Sequence, residues 1–544
     1  MLTKADSYEA LCRNFAWDIP EFYNIGVDVC DKWADAEPQR TALILASEDG
    51  TAEKISFHDL KVHSNRIANL LRAGGIMPGD RVGVLLPQAL ETAASHIAIY
   101  KSGAIAVPLF VLFGPEALEH RIADAGIGLI ITNHQGAEKL RAIAAPVQRD
   151  LMIYSVDDAD PVLNTRDFHA DLATMSDRFE PVWTRAEDPA LIIYTSGTTG
   201  APKGALHAHR VLLGHLPGME MSHDFFPRPG DVIWTPADWA WIGGLLDILL
   251  PALHHGVAVV ARRFGKFTAE AAYDLLSRYQ VTNAFLPPTA LKMMRAAAHD
   301  AVRHPLALRT VGSGGESLGA ELLEWGRKTL GVTINEFYGQ TECNLIVSSC
   351  AALTPPRPGI MGRKVPGHRL AVLHRDGSSC ATGEPGLIAV RRPDPVLFLE
   401  YWNNPEATAQ KFIGDWMITG DTGVDEGDGW LRFVGRDDDV INSAGYRIGP
   451  GEIEDCLMGH AAVRMAAIVG KPDRERTEII KAYIVLQDGF EPTDQLRADI
   501  QNHVRDRLAA HEYPREISFL EDLPVTTTGK IMRRVLRNLA AQEG

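Results

Sequence analysis

Short apolar runs alternate with longer amphipathic segments over much of this 544-residue chain. Asp80–Leu86 and Ile105–Leu109 are typical of buried strands, and Ala89–Gly103 between them has the length of a helix. A helix over Pro115–Ala125 and a strand over Ile127–Thr132 continue the alternation. Strands that alternate with helices predict a mainly parallel sheet that is covered by helices on both faces.

The same pattern returns at 267–298, where a helix leads to a strand over Thr282–Leu286 and then to a second helix. Between about 355 and 435, glycines, prolines and short β-prone runs indicate a smaller β-rich subdomain. The last hundred residues show a compact α+β pattern. It comprises a helix near 450–459, strands near 462–470 and 478–487, a helix near 493–508 and a strand near 516–520.

A short charged segment, Gly435–Asp439, lies between two β-like runs and is a natural domain boundary. The sequence therefore predicts an α/β protein with two parts. Residues 1–436 would form a large N-terminal domain of mainly parallel sheets flanked by helices, plus the β-rich subdomain. Residues 437–544 would form a small α+β C-terminal domain. Composition alone predicts that Asp437–Asp439 forms a solvated turn.

Composition narrows the class of protein. The chain carries 54 basic and 70 acidic residues, a formal net charge of −16, which argues against sequence-independent nucleic-acid binding. No apolar run reaches the roughly 18 residues that a membrane span needs. The first residues have no apolar signal core, so a cytoplasmic protein is expected. Six cysteines without C-x-x-C spacing are expected to be thiols, not disulfides or zinc ligands.

The candidate chemistry begins with a loop rich in glycine and hydroxyl groups over Tyr194–Gly204, directly after a β-prone run over Pro189–Ile193. Its glycines let the backbone approach a bound group closely, and its hydroxyls and Lys203 supply donors. Such a loop suits phosphate oxygens, although a solvated linker has a similar composition. The Walker A spacing is absent from the sequence.

Four further motifs follow in a fixed order. They are Tyr338–Glu342, Thr419–Asp421, Gly435–Ile441 and Pro524–Lys530. Together with the loop they resemble the acyl- and aryl-CoA synthetases of the adenylate-forming superfamily, which also holds firefly luciferase and the adenylation domains of peptide synthetases. The resemblance spans roughly residues 30 to 540 and is greatest to medium-chain and acetyl-CoA synthetase-like enzymes.

The resemblance implies an AMP-forming reaction in two steps. A carboxylic acid and ATP give acyl-AMP and pyrophosphate, and coenzyme A then gives acyl-CoA and AMP, with Mg²⁺ as the metal. Two anions must meet in the first step, so the site needs positive charge and aimed donors. The residues that the resemblance assigns to ATP are Thr195, Ser196, Gly197, Thr198, Thr199, Lys203, Gly315, Glu316, Glu336, Phe337, Tyr338, Thr341, Asp421 and Arg436.

Several of these positions take a specific role by resemblance. Glu342 would bind Mg²⁺, and Thr341 would contact the α-phosphate. Asp421 would accept both ribose hydroxyls, with Arg436 as the second ribose ligand. The residues that would frame adenine are Gly315, Glu316, Glu336, Phe337 and Tyr338. Lys530 would bridge the acyl carboxylate and the α-phosphate, and Arg447 would reach phosphate. Without the resemblance, Glu342 would be a helix-terminal carboxylate in a local hydrogen bond. Arg436 and Arg447 would form surface ion pairs, and Lys530 would be an exposed lysine.

The resemblance also makes the C-terminal domain mobile about a hinge near Asp438. One face would serve Lys530, and another would present residues to the pantetheine arm of coenzyme A. Those residues are Ser443, Ala444, Gly445 and Tyr446. A lysine acyltransferase that modifies Lys530 would be a regulatory partner, because acylation removes the charge. A homo-oligomer is compatible with the sequence.

The acyl pocket departs from the acetate enzymes of this family, which have a tryptophan directly before the Gln-Thr-Glu element. Gly339 stands at that position here, and Gly243 and Gly314 replace two further pocket side chains. Losing an indole leaves room for more carbons, so a medium-chain, branched or small aromatic acid is expected, with Trp241 and Ile242 lining the pocket. Alternatively, the glycines serve backbone turns and other side chains fill the space.

The competing functions either transfer the acyl group to another acceptor or involve no catalysis. The main alternative is an adenylating enzyme that passes its acyl group to a carrier protein or another acceptor. A luciferase-like oxygenase has no support in the sequence. A non-catalytic nucleotide-binding scaffold would not need Lys203, Glu342 and Lys530 together. His207 and His209 follow the loop, and both are expected to be structural.

Overall fold

The computed structural model describes residues 1–143, 151–157, 159–195, 201–297, 305–316, 318–443, 446–473, 476–508, 512–525 and 531–543. For four of these residues the structure describes the backbone but not the side chain: Asn442, Tyr446, Arg447 and Glu452. The chain divides into two compact units. The first comprises Met1–Pro356, Lys364–Arg369 and Arg392–Lys411, and the second comprises Arg357–Arg363, Leu370–Arg391 and Phe412–Gly544.

This division groups most of the β-rich segment with the C-terminal residues. The domain boundary between residues 436 and 437, with its hinge near Asp438, therefore stays a prediction about how the second unit is subdivided.

The strands of the described residues are short, as is usual in α/β proteins. In chain order they are β1 (Thr41–Ala46), β2 (Ala52–Ser56), β3 (Arg81–Leu85), β4 (Ile105–Pro108), β5 (Leu129–Thr132), β6 (Met152–Ser155), β7 (Arg166–Asp167), β8 (Pro189–Thr195), β9 (Lys203–Ala208), β10 (Val232–Trp234), β11 (Ala258–Ala261), β12 (Asn283–Phe285), β13 (Thr310–Gly314), β14 (Ile334–Tyr338), β15 (Val347–Ser348), β16 (Gly362–Lys364), β17 (Leu370–Leu373), β18 (Pro385–Arg391), β19 (Glu400–Tyr401), β20 (Phe412–Ile413), β21 (Trp416–Gly427), β22 (Trp430–Arg436), β23 (Ile441–Ser443), β24 (Tyr446–Ile448), β25 (Val463–Asp473), β26 (Thr477–Leu486) and β27 (Glu516–Phe519).

The helices are distributed along both units. In chain order they are α1 (Tyr8–Asn14), α2 (Lys32–Ala36), α3 (Phe57–Ala73), α4 (Leu90–Lys101), α5 (Pro115–Ala125), α6 (His134–Arg141), α7 (Phe168–Ala173), α8 (Val211–Ser222), α9 (Ile242–Gly244), α10 (Leu250–His254), α11 (Ala269–Arg278), α12 (Pro288–Ala296), α13 (Ala320–Trp325), α14 (Pro405–Gln410), α15 (Pro450–Met458), α16 (Asp494–Arg505) and α17 (Arg533–Gln542). Three π-helical turns cover Val27–Asp31, Leu245–Leu249 and Gly326–Leu330.

The first unit contains two mainly parallel sheets, which confirms the predicted α/β class. Sheet A has the order β15-β14-β13-β12-β10-β11-β1-β2, and its strands from β14 to β1 are parallel. Sheet B has the order β19-β9-β8-β4-β3-β5-β6-β7, and its strands from β8 to β7 are parallel. Antiparallel strands occur at the ends: β15 and β2 in sheet A, β9 and β19 in sheet B.

Local sequence signals place these elements well. Pro115 opens α5, and Gly126 ends it with φ 63°, a left-handed conformation that glycine adopts without strain. Ser56 and Asp59 form a capping box at the start of α3. Helix α4 is buried over nearly its whole length, because it packs in the core of the first unit.

The second unit contains two sheets of its own. Sheet C is antiparallel with the order β17-β18-β21-β22-β16, and β20 pairs with β21. Sheet D has the order β24-β23-β26-β25, and β27 pairs in parallel with β26. Helices α15 and α16 share one hydrophobic core with this sheet, and α17 packs into another. The C-terminal helix α17 was not predicted.

In the part of the chain that the structure describes, no helix has both the length and the apolar composition required to cross a membrane.

Candidate active site

The predicted phosphate loop joins the two strands of an antiparallel hairpin. Strand β8 ends at Thr195 and β9 begins at Lys203, and these two residues lie opposite each other in the register. The Thr195 hydroxyl donates a hydrogen bond of 3.4 Å to the carbonyl oxygen of Lys203. Residues 196–200, which include four of the predicted ATP residues, lie outside the described residues. The hairpin thus fixes both ends of the loop at the tips of two buried strands.

Lys203 and Glu342, the predicted phosphate and Mg²⁺ residues, are connected through a tyrosine that sequence reasoning missed. Tyr401 on β19 pairs with Ala205 on β9, which places its ring beside Lys203. The Lys203 Nζ lies 5.1 Å from the centroid of the Tyr401 ring. The Tyr401 hydroxyl donates a hydrogen bond to Oε1 of Glu342, and both residues are buried. The backbone amide of Phe398 also donates to the carbonyl oxygen of Glu342, at 3.0 Å.

Two side chains of the first unit lie close to Thr341: Lys411, which contacts the neighbouring Gln340, and His207. Lys411 Nζ donates to Oε1 of Gln340 at 3.0 Å. His207 on β9 is fully buried, and this burial lowers the pKa of its imidazole to about 3, although the Thr341 backbone acts in the opposite direction. Burial also lowers the pKa of His209 to about 3, and its Nδ1 accepts the Ile25 amide at 3.2 Å. Both imidazoles are therefore neutral at pH 7.

The residues predicted to frame adenine meet at the carboxyl end of sheet A. Strands β13 and β14 are parallel, and Gly314 pairs with Phe337 where both strands end. Gly315 and Glu316 follow β13, so they lie beside the end of β14, which contains Glu336, Phe337 and Tyr338. Ligands of open α/β sheets bind outside the carboxyl ends of the strands. Gly315 has φ 98° and open space where a side chain would begin.

The two carboxylates of this group have protein contacts. The Leu318 backbone amide donates to Oε1 of Glu336 at 3.4 Å. Lys292 Nζ lies 3.9 Å from Oε2 of Glu316, and both side chains are partly exposed. The Glu316 pair belongs to the class of surface ion pairs that contribute about 0–1 kcal/mol. A ligand could therefore displace it at low cost.

The predicted acyl-pocket residues lie at the same edge of sheet A, but the three glycines do not border empty space. A Cβ on Gly243 would lie 2.9 Å from the Phe285 ring, and one on Gly314 would lie 2.5 Å from the Phe337 ring. A Cβ on Gly339 would lie 2.7 Å from Oδ1 of Asn344. The space directly beside each glycine is therefore filled by neighbouring residues, as in the alternative left open by the sequence.

The aromatic residues in this area form two groups. The Trp241 ring is half-buried and lies 5.3 Å from Phe110 and 5.8 Å from Phe113, between ring centroids. Phe285 and Phe337 lie 5.2 Å apart. A larger pocket stays a prediction, and its side chains would be mainly aromatic.

In the second unit the structure brings the two predicted ribose residues together. Asp421 on β21 pairs with Arg436 on β22, and Arg436 Nε lies 3.3 Å from Oδ1 of Asp421. Gly420 has φ 84°, which turns the strand directly before Asp421. The Thr419 hydroxyl accepts the Asp421 amide at 3.1 Å. Asp421 is buried, whereas the Arg436 side chain is 42% exposed.

The predicted hinge segment is surrounded by arginines of the second unit. Arg436 Nε lies 3.6 Å from Oδ1 of Asp438. Arg375 donates to Asp437 at 2.7 Å. Arg537 on α17 donates to the carbonyl oxygen of Asp438 at 2.8 Å and to Oδ1 of Asp439 at 2.5 Å.

The remaining predicted residues are described in part. Ser443 is buried and pairs with Tyr446 in the β23–β24 hairpin, and the backbone of Arg447 pairs with Asn442. Ala444 and Gly445 at the tip of this hairpin lie outside the described residues. Lys530 also lies outside them; Val525 and Ile531, on either side of the Thr-Thr-Thr-Gly-Lys segment, form an antiparallel bridge.

A group of possible metal ligands lies between β17 and β18. Ligand atoms of His374, Cys380 and Glu384 lie within 4.8 Å of one another. Cys380 Sγ is 3.5 Å from Nδ1 of His374, whereas Glu384 is 3.7 Å from Nε2. The thiol and the carboxylate thus contact different ring nitrogens of His374. Burial, and then Glu384 and Asp376, raise the pKa of the Cys380 thiol.

Comparison with known proteins identifies the family of the chain. The AMP-binding enzyme family matches residues 30–402, and the AMP-binding enzyme C-terminal domain matches residues 452–530. The uncharacterised acyl-CoA ligase YtcI of Bacillus subtilis (strain 168) is 35% identical over 96% of this chain and 97% of its own length. Acetyl-coenzyme A synthetase of the same organism is 32% identical over 98% of this chain and 94% of its own. The crystal structure of an acyl-CoA synthetase of Brucella canis has 36% identity and a TM-score of 0.76, covering 99% of this chain and 100% of that one.

The fold and the family match define an adenylate-forming enzyme. The chain belongs to the AMP-binding enzyme family, and within it to the AMP-forming acyl-CoA synthetases. The resemblance of the motifs is thereby confirmed. The enzyme is a ligase that uses ATP and coenzyme A. The comparisons leave its acid substrate open, since relatives of similar identity include one named for acetate.

Proposed function

We propose that the enzyme activates a medium-chain, branched or small aromatic carboxylic acid in preference to acetate, with Mg²⁺ as its metal ion. The observation that carries this proposal is the absence of an indole at Gly339, where acetate enzymes of the resembled family have tryptophan; only the space at the Cβ position itself is filled, by Asn344 and Leu345. The nearby Phe285 and Phe337 rings support an apolar binding surface at the carboxyl end of sheet A. An apolar surface favours acids with more carbon than acetate.

In the first step the acid carboxylate attacks the α-phosphate of ATP, and pyrophosphate leaves. Lys203 and the hairpin loop would hold the β- and γ-phosphates, and Asp421 and Arg436 would hold the ribose. Glu342, oriented by Tyr401, would hold Mg²⁺, which neutralises phosphate charge when bound. Lys530 would neutralise the charge that develops between the two anions.

In the second step the coenzyme A thiol attacks the carbonyl carbon of acyl-AMP, its proton is lost, and AMP leaves. Residues 437–544 would rotate about Asp438 so that Ser443, Ala444, Gly445 and Tyr446 meet the pantetheine arm. Arg447 would contact phosphate. Transfer to a carrier protein instead of coenzyme A is not favoured, because the relatives are named acyl-CoA ligases and synthetases.

The test is a panel of acids: acetate, butyrate, hexanoate, octanoate and benzoate. Labelled pyrophosphate exchange into ATP and release of AMP would be measured with each. Each buried methylene contributes about 0.8 kcal/mol, so hexanoate should exceed acetate in kcat/KM by on the order of 10²-fold. A clear preference for acetate would overturn the proposed acid class. Release of ADP in place of AMP would overturn the reaction itself.

A further inference from the structure

A buried carboxyl group lies beside the predicted acyl pocket, and the reaction described above does not use it. Asp247 is in the π-helical turn Leu245–Leu249, directly after the predicted pocket residues Trp241–Gly243. Its side chain is almost completely buried. A π-helical turn of this kind is rare and occurs frequently at functional sites.

Asp247 is joined to the Gln-Thr-Glu segment through an asparagine. Asn344 Nδ2 donates a hydrogen bond of 2.5 Å to Oδ1 of Asp247, and Asn344 is also buried. Since Asn344 is two residues after Glu342, the pair connects the two segments that contain the predicted pocket glycines. This hydrogen bond uses one oxygen of the carboxyl group and leaves Oδ2 for another partner.

Both glycines of those segments border the pair. A Cβ on Gly243 would lie 3.6 Å from Oδ2 of Asp247, and a Cβ on Gly339 would lie 2.7 Å from Oδ1 of Asn344. Because Gly243 has no side chain, nothing of residue 243 covers Oδ2 from this direction. The Phe285 ring lies 2.9 Å from the same Cβ position, so the ring and the carboxyl group border the same space. The pair is therefore a buried polar group next to the aromatic ring of Phe285.

A polar group in such surroundings costs free energy unless it is hydrogen-bonded. Burial raises the pKa of Asp247 to about 8, and the Asn344 hydrogen bond opposes this only in part. The carboxyl group is therefore largely protonated at pH 7. Because Oδ1 accepts from Asn344, the proton on Oδ2 is available to a ligand oxygen.

We propose that Asp247 and Asn344 form a polar subsite of the acyl pocket that binds a hydroxyl or keto oxygen on the hydrocarbon part of the acid. The inference rests on the proposed function, because it requires the acyl group to bind beside Gly243 and Gly339. It narrows the substrate class to oxygen-substituted acids. A purely apolar acid would leave the Asp247 O–H without a partner, which lowers affinity.

The experiment compares acids in pairs that differ only by the oxygen. The pairs are butyrate with 3-hydroxybutyrate, hexanoate with 5-oxohexanoate, and hexanoate with 6-hydroxyhexanoate. We expect at least one oxygenated acid to exceed its plain partner in kcat/KM by about tenfold or more in the wild type. Asp247→Leu should reverse that preference, and Asp247→Asn should retain it in part. Asp274→Leu, which removes an exposed acid of the first unit, is the matched control.

The possible outcomes separate this inference from the proposed function. Equal ratios in the wild type and in Asp247→Leu would overturn the subsite, while turnover of the plain acids would leave the proposed function intact. Failure of every acid to release AMP would overturn the proposed function. A preference for 6-aminohexanoate over the oxygenated acids would overturn the oxygen assignment. The thermal midpoint shows whether Asp247→Leu folds. If it does not fold, Asn344→Leu and Asp247→Asn take its place. The subsite is then refuted unless both variants change the ratio of kcat/KM between the oxygenated and the plain acid.

Discussion

The two units hold their candidate site residues in opposite ways. In the first unit, Glu342 and Tyr401 are buried and bonded to each other, and His207 is buried beside Thr341. In the second unit, Arg436 is 42% exposed and lies near both Asp421 and Asp438. Buried polar pairs are costly to separate, whereas exposed ion pairs are worth about 0.2–1 kcal/mol each. The first arrangement suits a fixed binding site, and the second suits charges that change partners.

A second contrast concerns the strands that bear the predicted adenine residues of the first unit and the predicted ribose residues of the second unit. The carboxyl ends of parallel strands β12, β13 and β14 bring their side chains to one edge of sheet A. Asp421 and Arg436 instead face each other across an antiparallel pair, close to the charged segment Asp437–Asp439. Because several arginines contact Asp437–Asp439, this segment can lose one of these contacts and keep the others. A site at parallel strand ends has no such freedom, because every strand there is tied to two neighbours.

The strongest test of this contrast removes the cation that the second unit would supply. Lys530→Ala should lower the rate of adenylate formation by roughly 10²–10³, because the charge between the two anions is no longer neutralised. Thioester formation from supplied acyl-AMP should be largely retained. Each half-reaction can be measured by rapid quench with labelled substrate. Lys328→Ala, at an exposed position of the first unit, is the control.

Equal loss of both half-reactions would contradict this assignment. Such a result would mean that Lys530 supports the structure of the second unit and not one chemical step. The contrast between a fixed and an exchangeable region would then lose its main functional support.

Sequence patterns predicted the α/β class and the elements of a few stretches of the chain, although none before residue 80. Alternation of apolar runs and helices located β3, α4, β4, α5 and β5 within a few residues, because each of these elements is specified by its own residues. The C-terminal elements from α15 to β27 were located equally well. Helix α17 was missed, although its apolar residues pack against β25.

Contacts between distant segments could not be predicted in the same way. Tyr401 is 59 residues from Glu342, and Asn344 is 97 residues from Asp247. No local pattern marks either pair, because each depends on which strands become neighbours in the sheets. Antiparallel pairing of β19 with β9 delivers Tyr401, and nothing in the two-residue strand itself indicates that partner. The motifs predicted the candidate site residues, but not the neighbouring groups that contact them.

A second test concerns the buried pair of the first unit. Tyr401→Phe removes the hydroxyl that donates to Glu342, so the carboxylate loses an orienting partner. Loss of such partners typically weakens metal binding or activity by roughly 10–100-fold. The Mg²⁺ dependence of pyrophosphate exchange would show this as a rise in the half-saturating concentration. Tyr279→Phe, which removes a hydroxyl bonded to Thr51, should leave the Mg²⁺ dependence unchanged. An unchanged curve in Tyr401→Phe would mean that the pair does not orient Glu342.

A third test measures how strongly the first unit holds a buried acid. Burial raises the Asp247 pKa from 3.8 to about 8, so the folded chain keeps a proton that the unfolded chain releases. The stability from this carboxyl group is complete below about pH 4 and is lost as the pH rises towards 8. Asp247→Asn has no such group. The free energy of unfolding of the wild type minus that of the variant should therefore fall by up to about 1.4 kcal/mol per unit between pH 5 and 7.

Urea denaturation at pH 5, 6 and 7, followed by tryptophan fluorescence, measures that difference. The many buried histidines do not disturb it, because they are common to both proteins and cancel. A difference that stays constant with pH would show that Asp247 is ionised in the folded enzyme. The contrast between the two units would then be weaker, since a charge would be tolerated in the first.

The smallest expected effect is at the predicted hinge. Arg537 donates to Asp438 and Asp439, and its side chain is 28% exposed. Arg537→Gln should lower the free energy of unfolding by only about 1 kcal/mol, because Asp439 keeps Arg533 as a second partner, at 3.8 Å. If residues 437–544 change position during turnover, the same substitution should alter the ratio of the two half-reaction rates by a few-fold, and 0.5 M salt should reduce the difference from the wild type. Arg464→Gln, at an exposed pair with Asp522 outside the hinge segment, should leave the ratio unchanged. A shift of similar size in both variants would mean that the hinge arginines act through general stability. The charges at Asp437–Asp439 would then not be the exchangeable contacts that the comparison of the two units assigns to them.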